Sequence, residues 1–258
     1  MLFLRCKRCV SVSNVGFGGT SGLWLGTQNS NWDDCRNWAD GKIPDATTNV
    51  TINSSSVNNI LITGSQSCNS LFFQSNSNGT MSLTISPNAS LTVTGNVGLS
   101  KTSGSGTITL SVMNNATLTC NNLSVTGSAP GAANAIVQKD KVNSNIILNG
   151  GLSLDPGSIF DMDDNNNMTL EGLMSIKGNF VNNANASDFS VGNVDIVFNG
   201  NNLQTIDCPA NQDFRKITLD NSSTSGVRLN NDITVSQEMV FVNGVLDLNQ
   251  RTLTLGTS

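Results

Sequence analysis

The sequence predicts an all-β chain: a right-handed parallel β-helix closed at its start by a tryptophan-rich cap. Three observations lead there. Apolar-x-apolar triplets recur along the chain, most of those in the C-terminal stretch beginning six or seven residues after the previous one; the residues between them are mostly Asn, Ser, Thr and Gly; and Trp24, Trp32 and Trp38 fall together just ahead of the first repeats. Only 12% of the 258 residues are charged. Asn, Ser and Thr compete with a helical backbone for hydrogen bonds, and Thr suits a pleated surface, so no helix is predicted.

Residues 1–20 match neither cap nor repeats and are expected to be a loosely ordered leader. The basic cluster Arg5-Cys6-Lys7-Arg8 is followed by VSVSN, where a secretory signal needs an apolar run of roughly 7–15 residues. No stretch approaches the ~20 apolar residues of a membrane-spanning helix.

Residues 21–49 are expected to form the cap. The stretch GLWLGTQNSNWDDCRNWADGKIP holds all three tryptophans of a chain without tyrosine. Large aromatic side chains cover the open end of an apolar column better than small ones. Asn31, Asn37 and Asp40 stand nearby as partners for indole N–H groups, and Gly26, Gly41 and Pro44 let the chain turn across the end. The competing reading makes the same tryptophans a carbohydrate-binding surface, which requires exposed rings.

Residues 50–258 carry the repeats. Clear triplets are Leu83/Ile85, Leu91/Val93, Ile108/Leu110, Ile146/Leu148, Leu152/Leu154, Met168/Leu170, Val194/Ile196, Ile217/Leu219, Val227/Leu229, Ile233/Val235, Met239/Phe241, Leu246/Leu248 and Leu253/Leu255. Each is a strand too short to stand alone. Three of them joined by polar turns make a coil of about 20 residues, and coils stacked at ~4.8 Å bury a continuous column, with about ten coils in all. Sandwich strands are longer and more widely spaced. The matching segments Cys68-Asn69-Ser70-Leu71 and Cys120-Asn121-Asn122-Leu123 are expected at one corner, making Asn69 and Asn121 ladder asparagines able to adopt a left-handed conformation. More than one coil should separate them, which puts a Cys68–Cys120 disulfide out of reach. The LTLGTS ending stops in mid-pattern, so the repeats are expected to continue in a longer parent chain.

The series Trp24-x-Gly26, Asn31-Trp32, Asn37-Trp38, Gly41, Pro44 and Asn49-Val50-Thr51-Ile52, followed by such repeats, resembles the head of large secreted bacterial β-solenoid proteins. These adhesin-like or autotransporter-like surface proteins are abundant in Bacteroidota. The stretch from Phe198 to Gly256 is similar to their repeat region. The resemblance implies a non-catalytic structural and adhesive role in a secreted or cell-surface protein, with surface glycans or another cell surface as partner. The C-terminal sorting domain common in that group, and a signal peptide, are not visible in this sequence.

Other chemistry is narrowed by composition. The chain has no histidine, which removes imidazole as base, acid or metal ligand. A net charge of −5 without a basic patch argues against nucleic acid. The CKRC pair at Cys6 and Cys9 has no second pair at zinc spacing. No cofactor is expected. The densest acidic cluster offers Asp161, Asp163 and Asn165 as a weak calcium candidate; its sixth position is Asn166 and its twelfth Gly172, unlike an EF-hand loop. A β-helix of the pectin-lyase-like kind also hosts polysaccharide lyases and hydrolases, the remaining alternative. The G-H-G motif of the polygalacturonases cannot occur here, Arg215-Lys216-Ile217 departs from their R-I-K order, and Asp213 with Arg215 is an ordinary pair. N-x-S/T matches such as Asn88-Ala89-Ser90 and Asn115-Ala116-Thr117 are expected from composition alone.

Overall fold

A strand with two inward apolar residues gains stability only when another lies above and below it. The computed structural model describes residues 18–128, 135–139, 143–162, 172–190, 194–210 and 212–256. There the triplets stack on one another in three parallel sheets. The expected leader therefore lies outside the described residues, apart from the exposed Gly18, Gly19 and Thr20.

The first coil sets the pattern. Asn49–Ile52 starts the first face, Ile60–Ile62 the second and Ser65–Cys68 the third. The first face continues as a nine-stranded sheet ending at Leu246–Asp247, against the ten coils expected. Its inward rung runs unbroken through Val50, Leu71, Val97, Leu123, Leu152, Phe180, Ile206 and Leu229, all buried. The outward rung beside it reads Thr51, Phe72, Gly98, Ser124, Ser153 and Val181. Alternation along each short strand thus sends apolar side chains into the column and mainly small or polar ones to solvent.

The second face has six strands, the last being Phe189–Ser190. Beyond it the second and third faces merge. Gln212–Asp220 and Ile233–Asn243 are single long strands, with register shifts after Phe214 and after Leu219. Phe214 rests on Phe189 with ring centroids 5.9 Å apart, and Phe189 meets Phe180 edge-on at 5.0 Å. The only helical segments among the described residues are two 3-10 turns, Cys35–Asn37 and Ala186–Asp188.

Of the residues expected in the column, Leu83, Ile85, Leu91, Val93, Ile146, Leu148, Ile217, Leu219, Ile233 and Val235 are buried. Leu253 is half-buried and Leu255 is 60% exposed. Both belong to the last described strand, which pairs only with Ile233–Val235, so no coil covers them. Phe241, Val242, Val245 and Leu248 are exposed at the same end. Met168/Leu170 lies outside the described residues.

Candidate functional site

The cap is built as an extra level beneath the first coil. Leu23 bridges Thr51 in parallel and Asn31 bridges Leu61, so the cap pairs with the first and second faces. Trp24 N donates to Thr51 O at 3.0 Å, Thr51 N to Gly22 O at 2.9 Å, Trp32 N to Leu61 O at 3.1 Å and Leu61 N to Ser30 O at 2.7 Å. These bonds satisfy the edge groups that an open coil would expose. Trp24, Trp32 and Trp38 are 0%, 1% and 0% exposed. Trp38 stands edge-on to Trp24 at 5.0 Å and to Trp32 at 4.8 Å. No indole face is open, so the sugar-stacking alternative lacks the surface it needs on these residues.

None of the expected polar partners, Asn31, Asn37 or Asp40, accepts an indole N–H. Trp24 Nε1 donates to the carbonyl of Asn58, and Trp38 Nε1 to that of Trp32. Trp32 Nε1 is buried without a partner among the described residues. Asn37 serves the backbone: its Oδ1 accepts from Gln28 N and Asn29 N, and its Nδ2 donates to Asn29 Oδ1 and Asn31 O. Gly26 has φ +64°, and a Cβ there would lie 2.8 Å from Trp24 Nε1 and 2.9 Å from Asn58 N, so only glycine fits. Asp34 accepts from Arg36, which holds its carboxyl down to about 2.

Asn69 and Asn121 do share a corner, with Gly95 on the level between them. Gly95 N donates to Asn69 O at 2.6 Å and Asn121 N to Gly95 O at 2.7 Å. Their side chains reach back to Asn49 Oδ1 and Asn96 Oδ1. Neither takes the left-handed conformation allowed for them. That belongs to Asn88, Asn115 and Asn143, with φ of 63°, 56° and 60°, and to Gly172. These residues end the second face, where the chain must turn sharply into the third, and Asn tolerates that region better than most. Two of the N-x-S/T matches expected from composition alone are therefore structural corners, whose Ala89 and Ala116 are buried. Cys68 pairs with Val93, one level short of Cys120, and both cysteines are free. Burial pushes the thiols of Cys68, Cys120 and Cys208 up to about 12, while Cys35 is disulfide-bonded.

Of the calcium candidate, Asp163 and Asn165 lie outside the described residues. Asp161 ends the strand Ser158–Asp161, paired with Gln138 and Ser190. Among the described residues no group of three or more His, Cys, Asp or Glu is placed to hold a metal ion. Asp213 is exposed, and Arg215 lies against the amide of Gln237. Lys216 sits between Asp195 at 3.7 Å and Glu238 at 3.2 Å, forming a charged rung across three coils. No helix among the described residues is long and apolar enough to cross a membrane.

One feature escaped the sequence reading. A hollow of about 640 Å³ opens where the third face turns into the first, lined by Asn149, Lys177, Asn179, Asn199, Asn201 and Asn202, with Gly178 and Leu203. It forms because the corner lengthens from Lys177-Gly178-Asn179 on one level to Asn199-Gly200-Asn201-Asn202-Leu203 on the next. Buried Gln204 repairs the gap: its Nε2 donates to Ile176 O and Gly178 O, and its Oε1 accepts from Gly200 N and Asn221 Nδ2. The recurring Asn-Gly, Lys-Gly and Asn-Gly steps at Gly150, Gly178 and Gly200 are the signal that marks this corner in the sequence.

Comparison with protein-family models, with curated proteins and with solved structures finds no match in any of the three.

Proposed function

We propose that this chain is a non-catalytic structural and adhesive solenoid segment of a secreted or cell-surface protein, with surface glycans or another cell surface as its partner. The observation that carries the reading is the uninterrupted apolar column sealed at one end by the tryptophan cap. Nine levels at ~4.8 Å make a stiff arm about 40 Å long. Its sides repeat Thr, Ser and Asn hydroxyls and amides, which suit hydrogen bonding to polyhydroxyl surfaces. The disulfide at Cys35 fits an oxidising, extracytoplasmic compartment. The uncovered side chains at the far end, including Phe241 and Leu255, fit further coils stacking there.

The test is attachment. Beads carrying the purified chain should be retained under flow on glycan-coated or cell surfaces, and soluble polysaccharide should gain no reducing ends. Depolymerisation that Asp195→Asn or Asp213→Asn abolishes would replace this reading with an enzyme.

A further inference from the structure

The hollow at Lys177 has an unequal hydrogen-bond inventory. Asn179 Oδ1 already accepts from Thr205 N at 3.0 Å, Asn199 Oδ1 from Ser175 Oγ at 3.0 Å, and Asn201 Oδ1 from Asn202 Nδ2 at 3.0 Å. Asn149 Oδ1 accepts from Lys177 Nζ at 2.9 Å. A backbone N–H and an ammonium can only donate, so the orientations of Asn179 and Asn149 are fixed by chemistry. Four amide oxygens are thus engaged inside the protein. The side-chain N–H groups on this lining with no bond inside the protein are the Nδ2 groups of Asn149, Asn179, Asn199 and Asn201 and the remaining N–H groups of Lys177, against one free side-chain oxygen, Asn202 Oδ1. Donors thus predominate, and one carries a positive charge on a chain of net charge −5.

We propose that this hollow binds the carboxylate-bearing residue of an acidic saccharide, a uronate or a related sugar acid. Lys177 meets the carboxylate, the asparagine amides donate to it and to ring hydroxyls, and exposed Leu203 lies against the apolar face of the sugar. A neutral saccharide offers the ammonium no countercharge, whereas a carboxylate completes a charge-assisted bond. The hollow's size falls within the roughly 300–1,000 Å³ range of small-ligand sites. The site rests on the adhesive reading above and names its ligand class.

Titration calorimetry with oligogalacturonate, cello-oligosaccharide, sulfated dextran oligomer and inorganic phosphate, on the chain and on Lys177→Gln and Asn179→Ala variants, tests it. Oligogalacturonate should bind at least tenfold more tightly than the neutral oligomer, weaken as salt rises, and lose at least tenfold in Lys177→Gln with circular dichroism unchanged. Equal affinity for the acidic and neutral oligomers, or an unaltered Lys177→Gln, overturns the site. Tighter binding of sulfated dextran or of phosphate alone also overturns it, making the hollow a sulfate or general oxyanion site. Bead attachment that survives Lys177→Gln defeats this site and leaves the adhesive reading standing. Solution binding of oligogalacturonate without any bead attachment does the reverse.

Discussion

Asn37 is the cap residue whose loss should be felt most for its size. Its side chain is fully buried and makes four hydrogen bonds, two of them from the backbone N–H groups of Gln28 and Asn29 at 2.9 and 3.2 Å. Asn37→Ala strands those two donors, while the Asn31 carbonyl and Asn29 Oδ1 keep their bonds from Asp34 N and Asn31 N. Water reaches part of this loop, so each stranded donor costs about 1.5 kcal/mol, and the two together about 3 kcal/mol. The three tryptophans all lie in the cap and there is no tyrosine, so indole emission reports on the cap alone. At a urea slope of about 2 kcal/mol/M the emission midpoint should fall by about 1.5 M. The far-ultraviolet dichroism of the coils should follow later and less steeply, as in a stacked array whose units depend on their neighbours. An emission midpoint that stays within about 0.3 M of the wild type would refute the claim that Asn37 organises the cap, given the same slope.

Three further outcomes are expected. Leu219→Ala, in mid-column, should cost ~2–5 kcal/mol in denaturant unfolding followed by dichroism, whereas Leu255→Ala at the uncovered end should cost much less. Arg36 holds the folded Asp34 carboxyl at about 2, below an unfolded value of ~3.9; its stabilisation is therefore complete above about pH 4 and lost as pH falls toward 2, and Asp34→Asn should flatten the acid limb of cap stability measured by indole emission. Cys68, Cys120 and Cys208 should react with a thiol reagent only after unfolding, because burial removes both access and thiolate; rapid labelling of the native chain would contradict their placement.

The column was legible because burial on one side of a three-residue strand imposes the same pattern on every coil. Leu83/Ile85 and Ile233/Val235 could be placed inward from spacing alone. The cap was legible for a related reason: indoles are costly to leave in water, and three of them ahead of a repeat array need an end to cover. The corners were harder. Asn88, Asn115 and Asn143 carry the left-handed turns; the first two share an Asn-Ala-Ser/Thr-Leu run whose Ala is buried, but Asn143 lacks it, and in a chain so rich in asparagine the run reads as ordinary composition. The merged strands Gln212–Asp220 and Ile233–Asn243 arise because the connection between two faces shrinks to a bulge, which two triplets in sequence do not announce. The hollow depends on the longer corner Asn199 to Leu203 following the shorter corner Lys177 to Asn179 on the next level, a relation between coils that no single coil contains.

The stacking of coils also fixes how the molecule would behave as a tether. Val97 and Leu123 are neighbours in adjacent coils, separated by ~4.8 Å along the axis. The 26 residues between those levels would span about 90 Å if drawn out straight. A pull along the axis opens the hydrogen bonds of the end coil first while those beneath remain closed. Each coil surrendered then releases close to twenty times its folded length as slack. Load is shed in steps, and the coils still stacked remain a template on which the released chain can rewind when tension falls.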